Sequence, residues 1–256
     1  MKRLLTALVL IPLVVYLALW GPQYAFLAVL SAIALLCYYE YAGIVAAYGI
    51  EKPGPLGYVA GVFLILMPGD PALLITLIAL LALGTTLSLS DLKKALPKAA
   101  AVMLGLIYIF GSWRSAVFLR ARNQHWLLFA LALNWVGDSA AYYVGRMLGK
   151  HKLAPSVSPG KTWEGSIASM AASMLFAVLY LTRAIPTVSP LEAALLGAAG
   201  NVAGQIGDLA ESALKRGAGV KDSSNMLPGH GGWLDRVDSI LFALPVIHAL
   251  LAWQGL

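Results

Sequence analysis

Charged side chains are scarce in this 256-residue chain: they make up 12% of the sequence, while 60% of the residues are hydrophobic. Soluble domains usually carry about 25% charged residues. This scarcity of charge excludes an ordinary water-soluble globular protein. Together with a mean hydropathy of +0.79, it predicts an integral membrane protein.

Cysteine is nearly absent. The one cysteine, Cys37, lies in an apolar run, so no disulfide framework can form within the chain. The sequence also lacks a long linker, a low-complexity tract and a convincing internal repeat. We therefore predict one integrated membrane domain, with N-terminal and middle helices in 1–120 and a catalytic region in 121–256.

Apolar runs dominate what remains. A helix needs roughly 20 apolar residues to cross the hydrocarbon core, and backbone groups in lipid must be satisfied within each segment. The chain is thus predicted to be an all-α, polytopic transmembrane helical bundle of about nine helices. The first apolar run resembles a signal peptide but lacks a small-x-small cleavage site, so it is expected to be a retained helix. The candidate spans are 4–20, 24–47, 55–68, 71–90, 96–112, 126–149, 164–182, 191–216 and 233–254.

The basic residues are unevenly distributed across these spans. With the N-terminus inside, 14 of the 18 Lys and Arg residues lie on the cytoplasmic side and 4 on the outer side, as the positive-inside rule requires. Segment 112–125 carries three of the outer arginines, and it is interpreted as a loop, a re-entrant segment or an interfacial segment. The two most polar loops, 146–163 and 212–238, are then predicted to be cytoplasmic.

Carboxylates occur where a membrane helix should avoid them, since each costs a few kcal/mol at membrane depth. Asp138 lies in the sixth span, and Asp235 and Asp238 lie one turn apart near the start of the ninth. Asp208 lies in the eighth span. These three helices are therefore predicted to direct carboxylates to a common cytoplasmic region. Structural interhelical hydrogen bonds or ion pairs are the alternative for a lone Asp138, but the whole set has too many carboxylates for the nearby cations to neutralise. In the eighth span, one polar stripe at helical spacing contains Asn201, Gln205, Asp208, Ser212 and Lys215.

Clustered carboxylates without His or Cys ligands favour a hard, oxygen-seeking cation, so Mg²⁺ is expected rather than Zn²⁺. Basic residues surround the same carboxylates and favour phosphate binding: Lys161, Lys215, Lys221 and Arg236. The SPGKTWEG segment ends at a predicted helix start, where backbone N–H groups favour an anion. The glycines of PGHGG let backbone amides approach a phosphate closely.

The segment 212–239, SALKRGAGVKDSSNMLPGHGGWLDRVDS, resembles the signature of the phosphatidate cytidylyltransferases (CDP-diacylglycerol synthases). The matched elements are S-x-x-K-R, K-D and P-x-H-G-G-x-x-D-R-x-D. The preceding GDLAES, the segment from WVGDS to KTWEG, and YYEYA near residue 40 are similar to that family as well. The strong resemblance covers about 134–239.

The resemblance implies transfer of CMP from CTP to phosphatidate, giving CDP-diacylglycerol and pyrophosphate. It implies a multi-pass protein of the bacterial inner membrane, a nine-helix homodimer whose site opens to the cytoplasm and to membrane lipid. It also implies Mg²⁺, and it allows K⁺ as a second cation. No nucleic-acid partner is expected.

The family pattern carries over to individual positions in this sequence. Asp208 and Asp235 are the expected metal ligands, with Asp238 and Asp138 as further ligands or as supports for them. Apart from the resemblance, the tyrosines that flank Glu40 suggest an interfacial position near the inner membrane surface and favour a structural role for it. The residues expected to hold the phosphates are Lys161, Lys215, Lys221 and Arg236, and those expected to line the substrate are Ser212, His230, Gly231 and Gly232.

Other functions share much of this chemistry. A CTP-dependent enzyme for another lipid phosphate, or a lipid kinase, would need the same cations and carboxylates. An ion-coupled transporter would also place carboxylates within the membrane. It would, however, show inverted repeats and broken helices in both halves, whereas the polar residues here are concentrated in the second half.

Overall fold

The computed structural model describes residues 12–227, 229 and 231–253. In these residues a helical segment at 12–19 precedes nine α-helices, with one short antiparallel hairpin between α6 and α7. The all-α prediction is confirmed, although the first part of span 4–20 lies outside the described residues. The helices are α1 (Gln23–Ala47), α2 (Pro55–Leu66), α3 (Pro71–Gly84), α4 (Ala95–Gly105), α5 (Ser112–Arg122), α6 (Gln124–Leu148), α7 (Trp163–Ala184), α8 (Pro190–Gly217) and α9 (Leu234–Trp253).

Six helical stretches in the described residues are long and apolar enough to cross a membrane. The chain is thus a multi-pass membrane protein. Helix α2, at 12 residues, is apolar but short, as expected for the third span. Helix α8 has 28 residues and is rich in glycine and polar side chains, so it is not among the six. The six stretches are Gln23–Ala47, Pro71–Ser88, Leu92–Arg122, Gln124–Leu148, Trp163–Ala184 and Leu234–Trp253.

The prediction of a loop at 112–125 is wrong, while a re-entrant or interfacial placement of this segment stays a prediction. One helical stretch of 31 residues runs from Leu92 to Arg122, with a π-helical segment at Leu106–Gly111 between α4 and α5. Only Asn123 separates α5 from α6. The three arginines that suggested a loop are therefore on a helix.

Arg114 shows how a helix tolerates such a charge. Its side chain is buried, and its guanidinium donates to the carbonyl oxygen of Leu64 at 2.7 Å and to that of Met67. Those carbonyls lie at the C-terminal end of α2, where helical carbonyls lack an intrahelical partner. The arginine thus satisfies orphan acceptors, and its own burial is offset by hydrogen bonds.

The hairpin replaces part of the loop predicted at 146–163. Strand β1 (Lys152–Ala154) pairs with β2 (Ser158–Thr162), with Lys152 opposite Thr162. Thr162 then caps α7, because its hydroxyl accepts from the backbone N–H of Gly165 at 3.2 Å. This turn from strand to helix directs Lys161 towards α8.

Helices α6 to α9 pack closely because small residues line their contacts. Gly197 of α8 lies against α7, where an added Cβ would be 2.8 Å from the Cβ of Ala177 and 2.8 Å from the carbonyl oxygen of Ser173. One of those atoms is backbone and the other is fixed to it, so neither can move cheaply. Small residues permit such close approach in membrane bundles.

Gly197→Ala should therefore lower the thermal unfolding temperature in detergent, since overpacking typically costs about 1–3 kcal/mol. Gly43→Ala is the matched control, because nothing lies within 4 Å of a Cβ added to Gly43 in α1. The measurement is thermal unfolding of both variants beside the wild type. Equal unfolding temperatures for the two variants would show that α7 and α8 can separate at no cost.

Candidate active site

The carboxylates predicted to converge do so around one polar cavity of ≈ 300 Å³ between α6, α8, α9 and the α8–α9 loop. Six of the predicted site residues line it, which matches the expectation of three helices directed at one region. Asp222 of the loop also faces this cavity and was not assigned a role from the sequence. The lining residues are Asn134, Trp135, Asp138, Asp208, Lys215, Asp222, Asp235, Arg236, Asp238, Ser239 and Ile240.

Asp208 lies at the boundary between this cavity and a second one of ≈ 390 Å³, formed against α7 and the hairpin. Its carboxylate forms an ion pair of 2.6 Å with Lys161, and the Ser212 hydroxyl donates to it at 3.4 Å. About a third of the Asp208 side chain is exposed. Asp208 therefore keeps access to the space between the helices, and Lys161 brings a positive charge from the hairpin to the same place.

Asp235 is more enclosed, with 6% of its side chain exposed. Its carboxylate accepts from the backbone N–H groups of Gly232 at 2.7 Å and Ser223 at 3.0 Å, and from the Ser223 hydroxyl at 2.9 Å. Lys215 completes the set with an ion pair. Asp235 thus closes the α8–α9 loop on the first turn of α9.

Lys215 lies between two carboxylates. It forms ion pairs with Asp235 and with Glu211, whose side chain is fully buried one turn earlier on α8. Glu211 lies three residues after Asp208, at the border of the polar stripe, and no role was predicted for it. The ion pairs with Glu211 and Asp235 fix the Lys215 ammonium group at the lining of the cavity.

Glu40 joins the site from α1, which the sequence did not predict. Its buried carboxylate accepts from the Ser223 and Ser224 hydroxyls at 3.0 and 2.6 Å. It also accepts from the backbone N–H groups of Trp233 and Leu234 at 3.0 and 2.7 Å. The similarity of YYEYA to the family pattern was the signal that could have identified it.

Gly231 and Gly232 were predicted to line the substrate, but the structure gives another reason for glycine at these two positions. Gly231 adopts a φ of +76°, and a Cβ there would lie 2.7 Å from a carboxylate oxygen of Asp235. A Cβ on Gly232 would lie 2.5 Å from Glu40 Oε2 and even closer to the Ser223 hydroxyl. Both positions therefore need glycine for the loop to close, and neither lines the polar cavity.

Two further predicted residues stand apart from this arrangement. His230 lies outside the described residues. Lys221 is exposed and does not line the polar cavity. A role for either residue in binding phosphate stays a prediction, based on the family pattern and on charge.

The polar stripe of α8 divides into two parts. Asn201 donates to the hydroxyls of Ser169 and Ser173 on α7, at 2.9 Å each, and accepts from Gln205 at 2.6 Å. Gln205 in turn donates to the carbonyl oxygen of Ser166 at 3.2 Å. This first part is an interhelical hydrogen-bond network between α8 and α7. The second part, from Asp208 to Lys215, belongs to the cavity.

The donor chemistry of the cavity fits Mg²⁺ through few protein ligands. Within the described ranges no three His, Cys, Asp or Glu side chains form a ready metal cluster. Mg²⁺ is usually bound by one or two carboxylates together with substrate phosphates, so such a cluster is not required. Asp208 is the more accessible ligand, whereas Asp235 would need to exchange one of its present hydrogen bonds.

An apolar cavity of ≈ 340 Å³ adjoins the polar one. It extends between residues 14–33 and helices α6 and α9, and its walls include Leu17, Phe26 and Leu131. Four residues line both cavities: Trp135, Asp138, Arg236 and Ile240. A polar, charged compartment and an apolar compartment therefore meet at Arg236.

Comparison with known proteins agrees with this arrangement. The model of the "Cytidylyltransferase family" matches residues 1–253. A phosphatidate cytidylyltransferase of Staphylococcus aureus (strain COL) is 37% identical over 211 residues, covering 79% of this chain and 80% of that protein. One of Bacillus subtilis (strain 168) is 39% identical over 181 residues, covering 70% of this chain and 67% of that protein. One of Staphylococcus haemolyticus (strain JCSC1435) is 38% identical over 164 residues, covering 64% of this chain and 60% of that protein.

Proposed function

Because the chain belongs to the cytidylyltransferase family, we propose that it transfers CMP from CTP to phosphatidate, giving CDP-diacylglycerol and pyrophosphate. The observation that carries this proposal is the junction of the two cavities at Arg236. A nucleotide triphosphate suits the polar compartment, and lipid acyl chains suit the apolar one. The relatives named phosphatidate cytidylyltransferase support the same substrates.

The reaction brings two anions together. A phosphate oxygen of phosphatidate forms a bond to the α-phosphorus of CTP, and the bond from that phosphorus to the bridging oxygen breaks, releasing pyrophosphate. The attacking oxygen is ionised near neutral pH, so no dedicated general base is needed. The barrier is dominated by charge repulsion and alignment, which fixed cations reduce.

Three cations of this chain are placed for that task. Lys215 is held by Glu211 and reaches the polar cavity, while Lys161 reaches Asp208 from the hairpin. Arg236 lines both cavities, where it can hold the lipid phosphate. Because Lys161 and Lys215 now pair with carboxylates, a phosphate would offer each of them an alternative anion, which keeps the site electrically balanced.

Mg²⁺ would be held by Asp208 and Asp235, and Asp138 and Asp238 line the same cavity. When bound, it would neutralise developing charge on the phosphate oxygens. K⁺ remains a further candidate cation on the family resemblance. Asp138 and Asp238 also keep the surrounding field negative, which favours retention of a divalent cation over its loss to water.

We further propose a homodimer in the bacterial inner membrane, with the cavity open to the cytoplasm. The excess of Lys and Arg on one side of the candidate spans supports this orientation. CTP is a cytoplasmic substrate, so the same orientation would supply the polar compartment. The dimer rests on the family resemblance.

Purified protein supplied with CTP and phosphatidate should release pyrophosphate and form CDP-diacylglycerol only when Mg²⁺ is present. Parallel reactions with other lipid phosphates, and with ATP, test the two alternative enzymes. Full turnover in excess EDTA would contradict the metal proposal. Formation of a nucleoside diphosphate in place of pyrophosphate would indicate a lipid kinase.

Asp208→Asn should remove nearly all turnover, by at least about 100-fold, because Asn keeps the size of Asp but lacks the charge that would hold the cation. Asp91→Asn is the matched control, since Asp91 caps a short 3₁₀ helix away from the cavity. Turnover is measured beside thermal unfolding in detergent. A folded Asp208→Asn protein with near wild-type turnover would refute the assigned role, while a poorly folded one would identify a structural ion pair with Lys161.

Accessibility to an impermeant maleimide tests the orientation. Met226 in the α8–α9 loop and Trp253 at the end of α9 are both exposed, whereas Cys37 is buried and should give little background. Met226→Cys should react only in inverted vesicles, and Trp253→Cys only in intact spheroplasts. The opposite pattern would place the loop outside the cell and contradict access of cytoplasmic CTP.

A further inference from the structure

We propose that Glu40 is a positioning residue, which holds the α8–α9 loop (218–233) closed so that Asp235 keeps its orientation in the cavity. The proposal rests on the proposed function for its consequence in catalysis. Its structural basis is independent of the substrate. Glu40 lies on α1, separated by more than 180 positions from every donor that it contacts.

Among the described residues, all the hydrogen bonds to the Glu40 carboxylate come from one segment of the chain, residues 223–234. Each oxygen of Glu40 accepts twice: Oε1 from Ser224 and Trp233, and Oε2 from Ser223 and Leu234. All four donors are neutral, and the Glu40 residue is 2% exposed. A carboxylate buried this completely is costly unless it is hydrogen-bonded, and here the loop and the start of α9 supply all four donors.

Two of these donors belong to the start of α9. Leu234 is the first residue of that helix and Trp233 precedes it, and backbone N–H groups at a helix start have no intrahelical acceptor. A negative charge is also favoured there by the helix dipole. The Glu40 side chain on α1 thus caps the N-terminal end of α9. The capped residue Leu234 directly precedes Asp235.

The link from Glu40 to Asp235 runs through Ser223. The Ser223 hydroxyl lies 3.0 Å from Glu40 Oε2 and 2.9 Å from Asp235 Oδ2. A hydroxyl has one proton to donate, so the two carboxylates share it, while the backbone N–H of Ser223 stays on Asp235. Removing Glu40 would release the loop, and Asp235 would then lose the fixed position of the Ser223 and Gly232 donors that the loop carries.

Glutamine at position 40 cannot reproduce this arrangement. Each carboxylate oxygen accepts from one backbone N–H, so the amide nitrogen of Glu40→Gln would face the N–H of Trp233 or that of Leu234, which cannot accept, even if the neighbouring serine hydroxyl turns to accept. We therefore expect the loop to open in this variant.

Hydrogen–deuterium exchange of the purified protein tests the anchor without any assay of activity. Peptides covering 222–235 should exchange at least about tenfold faster in Glu40→Gln than in the wild type, because exchange reports local opening. Glu51→Gln is the matched control, since Glu51 pairs at 2.7 Å with buried Lys98 away from the cavity. Unchanged exchange in 222–235 would overturn the proposal.

Steady-state kinetics then test the consequence. In Glu40→Gln, kcat should fall at least about tenfold while KM for phosphatidate changes less than about threefold, as expected for a defect expressed mainly in the transition state. Glu51→Gln should keep the wild-type kcat. Faster exchange with a wild-type kcat would show that the anchor is structural only and would overturn the positioning role.

A pair of serine variants keeps the test decisive if Glu40→Gln does not fold. Ser223→Ala removes the shared hydroxyl, while Ser224→Ala removes one donor to Glu40 that does not touch Asp235. The proposal requires a lower kcat in Ser223→Ala than in Ser224→Ala, and equal values would overturn it. A wild-type protein without cytidylyltransferase activity would instead refute the proposed function, and the exchange result would still stand.

Discussion

Burial of carboxylates inside an apolar bundle is the constraint on which the rest of this structure depends. Each buried acid must find donors within the protein, because lipid supplies none. Glu211 and Asp235 meet this requirement through Lys215, and Glu40 meets it through the α8–α9 loop, while the partly exposed Asp208 pairs with Lys161. The polar cavity forms where these ion pairs and hydrogen bonds lie next to one another.

The same constraint explains the unusual loop between α8 and α9. Its backbone and serine donors are directed inward to Asp235 and Glu40. Gly231 and Gly232 permit that approach because any side chain there would meet the carboxylates. A segment that reads as a phosphate-binding turn is thus also the element that holds two acids in place.

The junction of a charged cavity with an apolar one connects this packing to the proposed reaction. Neither compartment alone would suit both substrates, since CTP is fully polar and phosphatidate carries two acyl chains. Arg236 lines both compartments and Asp138 accompanies it. Charge complementarity at such a junction would align the two phosphates before any bond changes.

The membrane bundle and the convergence of Asp138, Asp208 and Asp235 follow from the sequence, because they depend on local hydropathy and helical periodicity. The helical course of 112–122, the hairpin that carries Lys161 and the division of the α8 stripe do not. They depend on which helix lies opposite. Glu40 is the clearest case: only the packing of α1 against the start of α9 brings its carboxylate to donors more than 180 positions away, and no periodicity within a single helix encodes that contact.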